Sequence, residues 1–201
     1  MKGFSDSERD RIREELIETG REQFSRFGHN RTRISDLTDA VDIATSTFYQ
    51  FFDSKEALYL AVLRREQQQV AEGFNDAIED ASDPKSEVAA GFEYFFEELE
   101  SNELYYKLIV RDDIRPLQQE ASESELEAFH REQFEVIESH VRRWTELDSF
   151  RIDDPAEMVG LFQILAFSIA AKESFEGIDD VGYDTAQKTL IALIVNGLFA
   201  E

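Results

Sequence analysis

The chain has 201 residues, 42% of them hydrophobic, and a formal net charge of −23 at pH 7, enough length and apolar content for one large or two small domains with a real core. It holds no cysteine and three histidines, which excludes disulfide frameworks, thiolate metal sites and thiol nucleophiles and argues against any metal centre. The opening MKGFSDSERDRIREEL is too charged for a secretory signal and the longest apolar run, residues 161–171, is too short to span a bilayer, so a cytoplasmic protein without a membrane partner is expected.

Apolar positions recur at three and four rather than two, and the few prolines and glycines fall mostly at breaks, which predicts an all-α protein. The first helix is expected from Ser7 to Phe27, with Ile12, Leu16, Gly20, Phe24 and Phe27 on its buried face. Gly20 there implies a close helix crossing, and Gly28 stands where a left-handed C-cap is wanted. A second helix is expected over residues 33–41, with Thr32 as N-cap and Ile34, Leu37, Thr38 and Val41 as its core stripe. A third follows over residues 45–52, with Ala44, Phe48, Phe51 and Phe52 inward and Ser46 and Gln50 outward, flanked by Thr47 and Tyr49. Asp53 and Ser54 read as the N-cap of a long helix reaching Ala81. Further helices are predicted over residues 85–100, 103–114, 123–147, 155–176 and 183–200, with linkers too short for another domain.

Two short helices around a three-residue turn, the second presenting small hydroxyls, an amide and a phenol, describe a helix-turn-helix. The turn needs a residue that tolerates positive φ, the place of Asp42. Short side chains at Thr45, Ser46 and Thr47 permit close approach to base edges, and Gln50 can offer its amide to adenine. Arg31, Arg33, Tyr49 and Lys55 are the expected phosphate contacts. The alternative is a purely structural three-helix packing motif.

At this point the residues resemble a known family. Phe24-Ser25-Arg26-Phe27-Gly28, Ile34-Ser35-Asp36-Leu37, Thr45-Ser46-Thr47-Phe48-Tyr49, Phe52 and Lys55-Glu56-Ala57-Leu58 are similar to the N-terminal DNA-binding domain of TetR-type transcriptional regulators. The resemblance covers about the first 60 residues. It implies a helix-turn-helix domain over residues 1–53 and a helical effector-binding and dimerisation domain over residues 54–201. It further implies a homodimer, usually a ligand-responsive repressor, that binds a palindromic double-stranded DNA operator. DNA-contact roles carry over to Arg33, Thr45, Ser46, Thr47, Tyr49, Gln50 and Lys55. The sequence departs from the family at Asp42, where a glycine is usual, and at Thr38, Val41, Thr45 and Ser46.

Charge distribution bears on that reading. Residues 1–60 carry nine Lys/Arg against twelve Asp/Glu, a net −3, while residues 61–201 hold the remaining −20. Acids spread over nearly every predicted solvent face are the composition of a protein kept soluble in molar salt, and a halophilic host is expected. The rival, a polyacidic interaction tail, needs charge blocks without apolar periodicity.

In the second part, Phe74, Phe92, Phe95, Phe96, Tyr105, Tyr106, Phe129, Phe134, Trp144 and Phe162 are candidates for lining an effector pocket, although aromatics at helical spacing more often form ordinary core. As a set they point to a small hydrophobic or aromatic effector. Leu161, Leu165, Ile169, Leu190, Ile191, Ile194, Val195 and Leu198 make the last two helices too apolar for solvent. The competing explanations are burial within the monomer and, with the resemblance, a symmetric dimer interface. His130 and His140, ten residues apart near Glu127, Glu135 and Glu138, lack metal-ligand spacing. Neither a catalytic constellation nor a cofactor is expected. The alternative to a regulator is an acidic helical interaction protein that has lost DNA binding.

Overall fold

The computed structural model describes residues 4–110, 117, 129, 137–170, 172 and 182–200. Its helices are α1 (Asp6–Phe27), α2 (Ile34–Ala40), α3 (Thr45–Phe48), α4 (Lys55–Glu79), α5 (Pro84–Ser101), α6 (Glu103–Val110), a helical stretch over residues 137–145 here called α7, α8 (Pro155–Ile169) and α9 (Tyr183–Leu198). Among the described residues extended pairing is confined to one antiparallel bridge, Phe150 with Phe199. No helix of the described residues is long and apolar enough to cross a membrane.

Local chemistry sets the helix starts. The Ser5 hydroxyl accepts from the Glu8 amide while the Ser5 amide donates to the Glu8 carboxylate at 2.8 Å, a capping box that opens α1. Ser54 accepts from the Ala57 amide at 3.1 Å to open α4, and Asp83 accepts from Ser86 at 2.9 Å just before Pro84. Asp154 and Pro155 repeat that arrangement at α8.

Four local expectations change. Thr32 is not the N-cap of α2: its hydroxyl donates to the Gly28 carbonyl at 2.9 Å, and Arg33 takes the cap position with its own amide donating to Asp36 at 3.1 Å. Gly28 has φ 76° but ψ 160°, outside the left-handed helical region and in a region essentially reserved for glycine. Phe27 is 45% exposed, under the Arg26 guanidinium at 5.0 Å from its ring centroid. Ala44 is exposed because, as the N-cap of α3, its extended backbone takes it off the helical wheel.

α4 joins the two parts of the molecule. Leu58, Tyr59, Val62 and Leu63 bury its first half, and Val70, Phe74 and Ile78 its second. It packs against both α1 and α5, and α5 in turn carries α6, α8 and α9. Gly20 allows the α1/α4 crossing, since a Cβ there would meet Val62 at 3.1 Å and Leu58 at 3.4 Å.

A polar junction sits beside that crossing. The Glu66 carboxylate on α4 is fully buried, accepting from the Arg21 guanidinium of α1 and, at 2.7 Å, from the Asn102 amide between α5 and α6. The bond to Glu66 is the main cause that raises the Arg21 pKa. Lys107 of α6 donates at 2.8 Å to the Ser25 carbonyl near the end of α1. Two charged donors, Arg21 and Lys107, and one neutral amide, Asn102, thus tie α1, α4 and α6 together.

Candidate nucleic-acid interface

The turn after α2 explains how α3 is aimed. The Ile43 amide donates to the Thr38 carbonyl at 3.0 Å and the Asp42 amide to the Asp39 carbonyl at 3.4 Å, the hydrogen-bond pattern of a Schellman motif with Asp42 at its left-handed position. Asp42 has φ 55° and is the sole non-glycine with positive φ among the described residues. This is the conformation expected of it, adopted by a residue that tolerates it less well than glycine.

α3 is shorter than expected. Its α-helical part ends at Phe48, and the chain tightens through Gln50 amide to Thr47 carbonyl and Phe51 amide to Phe48 carbonyl bonds, each 2.9 Å. The two-sided character survives: Phe48 and Phe52 are buried and Phe51 packs on the core, while Ser46, Tyr49 and Gln50 face solvent, Tyr49 at 53% exposure. Thr45 is exposed as well, its hydroxyl 3.4 Å from that of Thr38, and Thr47 is half-buried.

The candidate phosphate contacts divide. Arg31 and Arg33 are exposed. Lys55 is instead half-buried, and its ammonium donates to the carbonyls of His29 at 2.8 Å and Thr32 at 3.0 Å. Those bonds fasten the α1–α2 loop to the start of α4 and leave one N–H for any other partner. The side chain's length gave no hint of this inward use.

Arg9 and Arg13 carry a further contact to this region. Arg9 of α1 donates to the Gln50 carbonyl at 3.0 Å and lies 5.1 Å from the Phe51 ring centroid, and Arg13 lies 5.3 Å from that of Phe52. Sequence reasoning passed over them because charged residues on an exposed helix face are ordinary. Their i, i+4 spacing is the one available clue.

Of the candidate pocket residues, Phe74, Phe92, Phe95, Phe96, Tyr105, Phe129, Trp144 and Phe162 are buried in the core, Tyr106 packs partly against it, and Phe134 lies outside the described residues, as does His130. Phe92 stacks on Phe162 at 4.2 Å, with Phe95 edge-on to Phe162 at 5.3 Å. Burial raises the Tyr105 phenol pKa, with nearby Glu98 adding to it. The Trp144 indole donates to Glu87 at 2.8 Å.

The terminal helices show two faces. Leu165, Ile169, Ile191, Val195 and Leu198 are buried in the chain's own core, Leu161 and Ile194 are half-buried, and Leu190 is exposed. Ile164, Phe167 and Leu193, which the sequence reading did not single out, are 70%, 59% and 66% exposed. On helical wheels Leu161, Ile164 and Phe167 share one side of α8, and Leu190, Leu193 and Gly197 one side of α9.

A short two-sided helix set on a Schellman turn after another short helix is the geometry of a helix-turn-helix. Residues 16–62 match the family described as "Bacterial regulatory proteins, tetR family". That N-terminal stretch is thus similar to the tetR family, while the rest of the chain lies outside the match. It is 30% identical over 105 residues to the transcriptional activator FasR of Mycolicibacterium smegmatis, covering 52% of this chain and 48% of that protein. It is 32% identical over 73 residues to the transcriptional repressor DhaR of Mycobacterium sp. strain GP1, covering 36% and 37%. The chain thus spans about half or less of the length of these relatives. A putative TetR-family regulator from Vibrio parahaemolyticus shares the fold, with a TM-score of 0.69, 15% identity and coverage of 94% of this chain and 100% of that one.

Proposed function

We propose that the protein is a ligand-responsive transcriptional repressor that binds a palindromic operator as a homodimer, α3 being the recognition helix. The observation that carries this is the pairing of buried Phe48 with outward Ser46, Tyr49 and Gln50 on a helix held by the Asp42 turn. Ser46 and Gln50 are assigned to base edges with Thr45 and Thr47 beside them, and Tyr49, Arg31 and Arg33 to phosphates. Lys55 is reassigned to holding the loop that carries Arg31. DhaR supports repression as the sign of regulation, and FasR, an activator, stands as the counterexample.

The second copy is assigned to the exposed apolar side of α8 and α9, which sets two recognition helices on one duplex. The effector is assigned to the aromatic cluster around Phe92, Phe95 and Phe162, which it would have to part in order to enter. By shifting α4 near residues 57–72 it would favour a state of lower operator affinity. A net charge of −20 beyond residue 60 opposes phosphate binding in dilute buffer. In molar salt, screening over about 3 Å removes most of that repulsion, which fits a halophilic host.

Selection from a randomised duplex library in molar potassium chloride tests the reading. Enrichment of a two-fold symmetric sequence is expected. An intact dimer that enriches nothing would leave the acidic interaction protein as the better account.

A further inference from the structure

α3 ends within a turn of Gln50. Its near end is fixed by the Schellman turn and by packing against α2; the last helical bond runs from the Phe52 amide to the Phe48 carbonyl at 3.1 Å, and past Phe48 the backbone leaves the α-helical pattern, so the carbonyls of residues 49–51 lie at the helix end. Gln50, the amide assigned to a base edge, lies in that short stretch. One of those carbonyls, its own, is taken by the guanidinium of Arg9 at 3.0 Å, from a helix 41 residues earlier in sequence.

The same guanidinium sits 5.1 Å from the Phe51 ring centroid, whose other neighbour is Phe4 at 6.2 Å. One turn further along α1, Arg13 makes the corresponding contact with Phe52 at 5.3 Å. Two arginines on one side of α1 therefore grip consecutive aromatics while one of them also bonds the backbone between Tyr49 and Phe51. A cation at the C-terminal end of a helical turn is also favourably placed for the carbonyl dipoles.

We infer that Arg9, assisted by Arg13, is a positioning residue for DNA reading: it pins the Gln50 backbone so that the Gln50 amide and Tyr49 hydroxyl meet the duplex in one fixed geometry. The inference rests on the reading of α3 as the recognition helix. The bond to the Gln50 carbonyl uses one of the guanidinium's five N–H donors; the role inferred is that this bond sets which sequence is preferred, beyond any attraction of the charge to DNA in general.

The test uses the full-length dimer, the symmetric duplex enriched by the wild type and a scrambled duplex of the same length and composition. For Arg9→Met, which keeps side-chain bulk without donor or charge, preference for the enriched duplex should fall about tenfold, the scale of one charge-assisted hydrogen bond. Affinity for the scrambled duplex and the slope of log affinity against log salt should stay at wild-type values. Arg9→Lys, which keeps one N–H for the carbonyl, should recover most of the preference. Equal loss on both duplexes with the slope shallower by about one would make Arg9 a phosphate contact and overturn the inference, as would unchanged preference in Arg9→Met. A wild type that enriches no sequence overturns the DNA-reading role itself and this inference with it, so the two failures are told apart by the wild-type arm.

Discussion

Removing Arg21 should unmask the cost of the buried Glu66 carboxylate. In Arg21→Met the alkyl packing is kept, but a carboxylate with no exposed surface retains the Asn102 amide and loses its guanidinium. Breaking a buried pair from one side costs about 3–5 kcal/mol. The Arg21 side chain is itself 39% exposed, so water already screens the pair, and about 2–3 kcal/mol is the better figure. For a chain of this size that is a melting-temperature loss of about 4–12 °C. Arg21→Met/Glu66→Leu should regain most of the lost stability, because no buried charge remains. Urea unfolding followed by circular dichroism, at fixed pH, salt and protein concentration, gives both values. A single variant within about 0.5 kcal/mol of wild type, or a double variant no more stable than the single, would refute the argument that this junction is held by charge.

Other consequences follow from single residues. Asp42→Val should destabilise by about 1–2 kcal/mol and Asp42→Gly should not, because φ 55° is left-handed; thermal melts of the pair decide it. The His140 ring accepts at one nitrogen from Arg143 at 3.5 Å and approaches the Asn75 carbonyl oxygen at 2.6 Å with the other. Burial first, then Arg143, lower its pKa, with Glu87 opposing. Its contribution to stability is therefore complete above the ordinary histidine range and lost as pH falls below it, and His140→Asn should flatten the stability profile between pH 7 and 5. If the proposed homodimer forms through that face, replacing outward Ile164 and Leu193 with glutamate should give a folded monomer in sedimentation where the wild type sediments as a dimer, whereas a dimer that persists would remove that face from the interface.

Among the described residues the order of the helices was legible, and so was the Ser54 cap of α4, because it acts on an amide three residues away; Thr32 was misread as a cap because its hydroxyl turns back to the Gly28 carbonyl. Asp42 was legible for the same reason, since three residues between two apolar stripes leave room only for a positive-φ turn. The two-sided pattern of α3 likewise came from spacing alone. What stayed hidden depends on distant partners. Nothing near Lys55 in sequence reveals that its ammonium caps carbonyls 26 and 23 residues earlier, and nothing near Arg9 reveals a bond to Gln50. On α8 and α9 apolar residues occupy both sides, so periodicity could not tell the face on α5 from the outward face. Burial separates Leu165 and Ile191 from Ile164 and Leu193.

The most direct test of the central claim measures affinity for the wild-type-enriched duplex in Gln50→Ala and Tyr49→Ala, with each variant's dimer shown intact. Each should lose about 1–3 kcal/mol of binding, Gln50→Ala with relaxed preference at one base pair per half-site and Tyr49→Ala with a loss shared by all sequences. Wild-type affinity and preference in both variants would contradict the assignment of α3 as the helix that reads DNA.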